Sequence, residues 1–308
     1  MPLIMEGVAN AFSVHKLWEE NDPAGFIRQH GGSIRAIAGG NKQRMDGVFL
    51  SQFPKLEFVS NFGVGYDGVD AEWCGKNGII VSNTPDVLTD EVADLAMGLL
   101  LATIRQLPQA DAYLRRGEWL KGNFPLTTTL RERTMGIIGL GRIGKAIAER
   151  AAAFGVKIVY HGRNRQSDVS YPYFSSLTEM AESVDILMSI APGGAATKHL
   201  INAEVLKALG PNGILISVGR GTVVDEEALI AALRGNVILS AGLDVFEDEP
   251  RVPQALIDTP HTVLLPHVGS ASHHTRRLMG QLVVDNLISW FSGKGPLTPV
   301  PETPWSKS

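Results

Sequence analysis

Short apolar runs and stretches of helical periodicity take turns along most of the 308-residue chain. Before residue 83, the runs at 12–17, 34–38, 57–61 and 79–82 read as strands, and 23–30 and 69–76 as helices. Residues 42–53 read as another helix, although 48–50 also fit a short strand. From residue 135 the alternation sharpens. Strands are expected at 135–140, 156–160, 184–190, 213–218, 238–244 and 262–265, with helices at 142–154, 177–183, 203–209 and 226–233 between them. Apolar strands linked through helices build parallel sheets covered on both faces, so the expected class is α/β, with doubly wound sheets. Residues 89–105 and 272–291 form long helices, 109–120 a shorter one, 121–133 a polar connection, and the Pro-rich tail is left irregular. The helix at 89–105 is apolar on every side, which calls for burial between domains or against another subunit.

Within this pattern one segment has a specific chemical meaning. Gly139, Gly141 and Gly144 follow the strand at 135–140 in the G-x-G-x-x-G spacing and open the helix at 142–154. Strand, glycine turn and helix in that order form a dinucleotide-binding fingerprint. The first glycine permits the turn, the second lets backbone N–H groups approach a pyrophosphate, and the third allows close helix–strand packing. The helix N-terminus adds unpaired donors and partial positive charge.

Composition narrows the field. The length suits two domains. A net charge of -4 leaves no electrostatic footprint for nucleic acid or an anionic membrane. The single cysteine, Cys74, rules out an intramolecular disulfide and a cysteine-cluster metal site. Neither H-E-x-x-H, C-x-x-C nor a paired-carboxylate pattern points to a metal. The apolar stretch at 92–104 is broken by Asp94 and too short for a membrane span. The opening MPLIMEGVAN lacks the features of a secretory leader, so the cytoplasm is the expected compartment.

The residues after the second fingerprint strand choose the nucleotide. A carboxylate there receives the ribose 2′-hydroxyl of NAD, whereas an arginine accommodates a 2′-phosphate. This chain has His161 in the carboxylate's place, then Gly162, Arg163, Asn164 and Arg165, with no acid before Asp168. The two arginines can clamp a phosphate through charge-assisted bonds, so NADP, with NADPH favoured over NADH, is the expected cofactor.

Three later strand ends carry groups suited to reducing a 2-keto acid. Arg220 follows ILISVG, Glu249 follows AGLDVFED, and His267 follows TVLLP. Carboxyl ends of strands face the ligand crevice in doubly wound sheets, so the three can converge. Arg220 suits bidentate binding of a carboxylate, His267 suits proton transfer near neutrality, and Glu249 suits orienting the imidazole. His273 and His274 are adjacent at a helix start and cannot face one ligand together.

Joined in this order, NFGVGYDGVD, NTPDVLTDEVADLAMGLLL, GIIGLGRIGKAIAERAAAFG, ISVGRGTVVDEEAL, GLDVFEDEP and LLPHVGSAS make the chain resemble the D-isomer-specific 2-hydroxyacid dehydrogenases. Within them it looks like the NADPH-preferring glyoxylate/hydroxypyruvate reductases. The resemblance implies a Rossmann coenzyme domain inserted in a flavodoxin-like substrate domain, with divisions at 98/99 and 284/285. It implies Arg220 on the substrate, His267 as acid/base, Glu249 as its partner, and backbone N–H groups of Val64 and Gly65 on the substrate carboxylate. Nucleotide contacts are expected from Gly139, Gly141, Arg142, Ile143, Gly144, His161, Gly162, Arg163, Asn164, Arg165, Ala191, Pro192, Thr197, Val218, Gly219, Arg220, Asp244, His267 and Gly269. The Pro-Gly-Gly-Ala-Ala run after Ile190 is smaller than its counterpart in many relatives. A homodimer through the coenzyme domain is implied, with Trp119 a candidate to reach the neighbouring subunit's site. Leu50 and Phe62 are candidate pocket residues that would separate small keto acids from bulkier ones such as phenylpyruvate. A nucleotide-sensing corepressor is the alternative in another class, against which intact Arg220, Glu249 and His267 argue.

Overall fold

An apolar strand needs cover on both faces, and the smaller unit arranges this with few elements. The computed structural model describes residues 2–40 and 44–306, and the chain forms two units, 1–88 with 272–308 and 89–271. The smaller unit begins with helices α1 (Pro2–Ala9) and α2 (Pro23–His30). Strand β1 (Ala36–Gly39), helix α3 (Gly47–Leu50), strand β2 (Phe58–Asn61), helix α4 (Ala71–Lys76) and strand β3 (Ile80–Ser82) follow. The strands are parallel, in the order β1-β2-β3. Successive side chains of a strand point to opposite faces. Val59 accordingly joins Leu50, Cys74 and Val81 in one core, while Phe58 joins Val8, Val283, Val284 and Leu287 in the other.

The larger unit opens with helices α5 (Thr89–Ile104) and α6 (Leu107–Arg115). Then come β4 (Thr134–Ile138), α7 (Arg142–Ala153), β5 (Lys157–His161), β6 (Tyr173–Phe174), α8 (Leu177–Glu182) and β7 (Ile186–Ser189). It finishes with α9 (Ala203–Leu209), β8 (Ile214–Ser217), α10 (Glu226–Arg234), β9 (Ser240–Leu243), α11 (Gln254–Ile257) and β10 (Thr262–Leu264). The parallel sheet has the order β10-β9-β8-β7-β4-β5-β6, so the chain winds outward on one side of β4 and then crosses to the other. That reversal beside β4 is where a doubly wound sheet binds its ligand. Helix α12 (His273–Phe291) returns the chain to the smaller unit.

Two parallel sheets with helices bear out the α/β class, and several local expectations need correction. Residues 12–17 form no strand. Phe12 packs edge-on against Phe291, and His15 lies against Phe26 and His30, so the apolar pattern there serves helix packing. The strand expected at 48–50 is helix α3, capped by Asp46, whose carboxylate accepts the Phe49 N–H. Residues 42 and 43, placed in that helix by the sequence, lie outside the described residues. Helix α1, the short α11 and the two-residue β6 were not anticipated, and β6 makes seven strands where six were expected. The helix expected at 109–120 is α6 followed by a 3₁₀ turn at Glu118–Leu120.

The units divide just before α5 and α12, whereas boundaries at 98/99 and 284/285 would cut both helices. Helix α5 covers its own unit's sheet. Gly242 of β9 leaves room for it, since a Cβ there would lie 2.4 Å from the Thr103 hydroxyl. On its polar side Asp90 and Asp94 pair with Arg150 of α7. Much of the helix's apolar surface is thus buried within its own unit, Leu99, Leu100 and Thr103 among it. The tail is also better organised than expected. The buried Asn286 holds it through Thr298 and Leu297, and Val300 N–H donates to Val81 beside an antiparallel bridge from Ser82 to Pro299.

Candidate active site

The glycine fingerprint is explained atom by atom. Gly139 has φ +96, a conformation that L side chains rarely adopt. A Cβ on Gly144 would sit 2.3 Å from the Gly139 carbonyl oxygen, and one on Gly219 would sit 2.5 Å from the Ala191 carbonyl oxygen. The ends of β4, β7 and β8 therefore approach one another as closely as backbone allows. Gly141 is different, because a Cβ there would meet nothing within 4 Å. It caps α7 without a side chain, and the first turn of that helix holds no acid. Open space before a helix N-terminus fits a pyrophosphate. Arg142 lies exposed at the start of α7, Ile143 is half-buried, and Ala191 and Val218 are buried around this junction. Thr197 closes the loop after β7 by donating to the Pro192 carbonyl at 2.7 Å.

At the end of β5, His161 Nδ1 lies 3.0 Å from the Phe174 carbonyl. A carbonyl only accepts, so that nitrogen carries the hydrogen. The Gly162 carbonyl accepts from the Tyr173 hydroxyl. Arg163, Asn164 and Arg165 are exposed. Asp168, the nearest acid along the chain, is engaged by Lys145 at 2.6 Å, and that pairing holds its carboxyl below the usual range.

The catalytic expectation has a clear geometric counterpart. Glu249 Oε2 lies 2.6 Å from His267 Nδ1, and Glu249 Oε1 accepts the Phe246 N–H at 3.1 Å. A carboxylate can only accept from the imidazole, so Nδ1 carries the proton and Nε2 is left for another partner. Burial works to raise the Glu249 pKa, but the hydrogen bonds from His267 and Phe246 and the charges of His267 and Arg220 outweigh it, and the net shift is downward. The arginine's own Nη1 donates to the Gly219 carbonyl at 3.0 Å, which turns the side chain back along the end of β8.

Two supporting carboxylates escaped the sequence reading. Asp244, expected only as a nucleotide contact, accepts N–H groups from both Val268 and Gly269 at 2.7 and 2.8 Å. These bonds hold the backbone of His267, whose φ of +53 lies in the left-handed region that costs a non-glycine residue roughly 1–2 kcal/mol. Glu226 does the same for the loop carrying Glu249, through the Glu247 N–H. The signal for both was only the acidic spacing within DVFEDE and VVDEEAL, which does not tell a solvated acid from a buried one.

In the smaller unit the turn after β2 is framed by side-chain amides. Asn61 Nδ2 donates to the Gly63 and Gly65 carbonyls, Asn83 Nδ2 to the Val64 carbonyl, and Thr84 Oγ1 accepts the Gly63 N–H. Among the described residues nothing accepts from the Val64 N–H. Leu50, expected to line a pocket, has no exposed surface and belongs to the core, whereas Phe62 is half-exposed beneath the Arg276 guanidinium.

Fold, glycine cradle and the Arg220–Glu249–His267 group define a nicotinamide-dinucleotide dehydrogenase. A profile of the D-isomer specific 2-hydroxyacid dehydrogenase NAD-binding domain matches residues 97–269. The chain belongs to the D-isomer specific 2-hydroxyacid dehydrogenases. It is 49% identical to a Sinorhizobium meliloti NADPH-dependent glyoxylate/hydroxypyruvate reductase whose crystal structure holds NADP and malonate. That match covers 100% of this chain and 96% of the other, with a TM-score of 0.92. It is 48% identical to a hydroxyphenylpyruvate reductase of Plectranthus scutellarioides, over 94% of this chain and 92% of that one. A glyoxylate/hydroxypyruvate reductase of Arabidopsis thaliana is 46% identical over the same shares. No described helix is long and apolar enough to cross a membrane.

Proposed function

We propose that the chain reduces glyoxylate and hydroxypyruvate to glycolate and D-glycerate, using NADPH. The carrying observation is the His267–Glu249 pair beside Arg220, at the strand ends of a sheet whose glycine turn accepts a dinucleotide. Gly139, Gly141 and Gly144 would hold the pyrophosphate, and Arg163 and Arg165 the 2′-phosphate. When bound, the nicotinamide supplies a hydride to the keto carbon. Arg220 binds the substrate carboxylate through its guanidinium fork, and within the smaller unit the Val64 and Gly65 N–H groups are donors suited to a carboxylate. His267 donates its Nε2 proton to the keto oxygen, so that one hydride and one proton convert the carbonyl to a hydroxyl. The ionised Glu249 keeps Nδ1 protonated and steadies the positive imidazole before transfer.

The experiment is steady-state reduction of a series of 2-keto acids with NADPH and NADH. Glyoxylate and hydroxypyruvate should show the highest kcat/KM, and NADPH should exceed NADH. A chain that favours 4-hydroxyphenylpyruvate instead would match the second reading, which the identity to the Plectranthus enzyme supports. Equal rates with both cofactors would remove the role given to Arg163 and Arg165. The same proposal includes a cytoplasmic location, suited to the single thiol, Cys74, which burial and then Asp70 push up to about 12. It also includes a homodimer through the coenzyme unit, since Trp119, Leu120 and Leu126 are strongly exposed there. Light scattering at the mass of one 33.2 kDa chain would overturn the dimer.

A further inference from the structure

Four acids crowd the loop that carries Glu249, and of these only Glu249 has a place in the reaction just described. Glu226, the first residue of α10, is only 7% exposed. Burial raises its pKa, the Glu247 N–H opposes this, and the charges of Glu247, Asp248 and Glu249 raise it further, leaving it above the usual carboxylate range. A buried acid among other acids is expensive unless it holds something. What it holds is the backbone two residues before Glu249: its Oε1 accepts the Glu247 N–H at 2.7 Å.

Three further contacts clamp the same loop. A Cβ on Gly221 would lie 1.9 Å from the Phe246 carbonyl group, so the backbone after Arg220 presses directly against the loop. His199 Nε2 meets the Glu247 carboxylate at 2.9 Å, while the His199 N–H donates to the Thr222 carbonyl. Glu249 itself accepts the Phe246 N–H before reaching His267 at 2.6 Å. Glu247 is thus gripped at its N–H by Glu226 and at its side chain by His199, and Glu249 emerges from that grip toward the imidazole.

We propose that Glu226 is a positioning residue: through the Glu247 N–H it sets where Glu249 meets His267. This rests on the reading of Glu249 and His267 as the pair that moves the reaction's proton. Misplacing a catalytic group by about 1 Å can cost on the order of a hundredfold in rate, so one lost backbone anchor has a measurable effect. The essential property of Glu226 is its acceptor oxygen. An amide retains it, while alanine removes it and aspartate is one methylene too short.

The test compares Glu226→Ala, Glu226→Asp and Glu226→Gln with the parent chain in glyoxylate reduction by NADPH, from about pH 5 to pH 9. Glu226→Ala and Glu226→Asp should lower kcat by about tenfold or more and displace a limb of the kcat–pH profile by about half a unit, with the NADPH Kd within about twofold. Glu226→Gln should keep kcat within about threefold and leave that limb in place. Having two shortened variants keeps the test open should one of them not fold. Shortened variants that match the parent, or a loss shared by glutamine and tracking the folded fraction in thermal melts, would overturn the proposal. Glu249→Gln at full rate would instead sink the proton-transfer reading on which it rests.

Discussion

Gly139 to Gly144 in the larger unit and Gly63 to Gly65 in the smaller both bend the chain at a strand end, and they are held by different means. In the larger unit backbone meets backbone: Gly144 faces the Gly139 carbonyl, and Gly219 faces Ala191. The glycines are there because no side chain fits. In the smaller unit the turn's carbonyls are tied by Asn61 and Asn83, twenty-two residues apart in sequence, and the bare Val64 N–H is left over. One turn is a steric solution written within six residues. The other is a hydrogen-bonded frame that exists only once β2 and β3 lie side by side. Under the proposed function, the first governs the cofactor and the second the keto acid, so their variants should fail in different ways.

The largest effect belongs to the strand ends of the larger unit. His267→Ala should lower kcat by about 10²- to 10⁴-fold while NADPH still binds, as read by nucleotide fluorescence titration. Gly144→Val should weaken NADPH binding by about a hundredfold or prevent folding, because the Gly139 carbonyl already occupies the space. Circular dichroism separates those two outcomes, and unchanged affinity would remove the steric account of the fingerprint.

Asn83→Ala tests the other side of the comparison. Loss of one amide that frames the turn should raise the KM for glyoxylate by about tenfold, roughly 1.4 kcal/mol, with the NADPH Kd unmoved. A fall in NADPH affinity alone would reverse the assignment of the two turns. Arg163→Ala combined with Arg165→Ala should reduce the NADPH-to-NADH ratio of kcat/KM by about tenfold or more, and leave the NADH value itself little changed.

The smallest effect concerns stability and pH. The Glu249 pKa is lowered on folding, so its stabilising contribution is present above the ordinary carboxylate range and is lost as pH falls through the folded value. The Glu226 pKa is raised, so the native state holds that proton more tightly and stability declines as pH rises out of the carboxylate range. Thermal melts should therefore show Glu249→Gln less sensitive to acid than the parent, and Glu226→Gln relatively more stable toward neutral pH. Opposite slopes would contradict both assignments.

Periodicity located the central strands of the larger unit well, because β4, β7, β8 and β9 are buried on both faces and an apolar run there has one use. It failed at residues 12–17, where a run alternating apolar and polar residues packs against helices. The pattern also missed β6, whose two residues are too short to show a period. Arg220, Glu249 and His267 stood out because each follows an apolar strand whose carboxyl end faces a ligand. Leu50 did not fit its expected role, since facing a pocket and facing the core look the same in an apolar helix.

The sequence by itself determined the glycine turn, the order of strands and helices around it, and which polar residues end those strands. These follow from local sterics and from periodicity, which neighbouring residues carry. Only the tertiary structure decided that Glu226 and Asp244 are buried and that each holds the loop of one member of the Glu249–His267 pair. It likewise decided that Asn83 frames a turn nineteen residues before it. An acid or an amide reads the same in the chain whether it is solvated or buried. Its meaning is set by which backbone N–H or carbonyl the fold brings within about 3 Å of it.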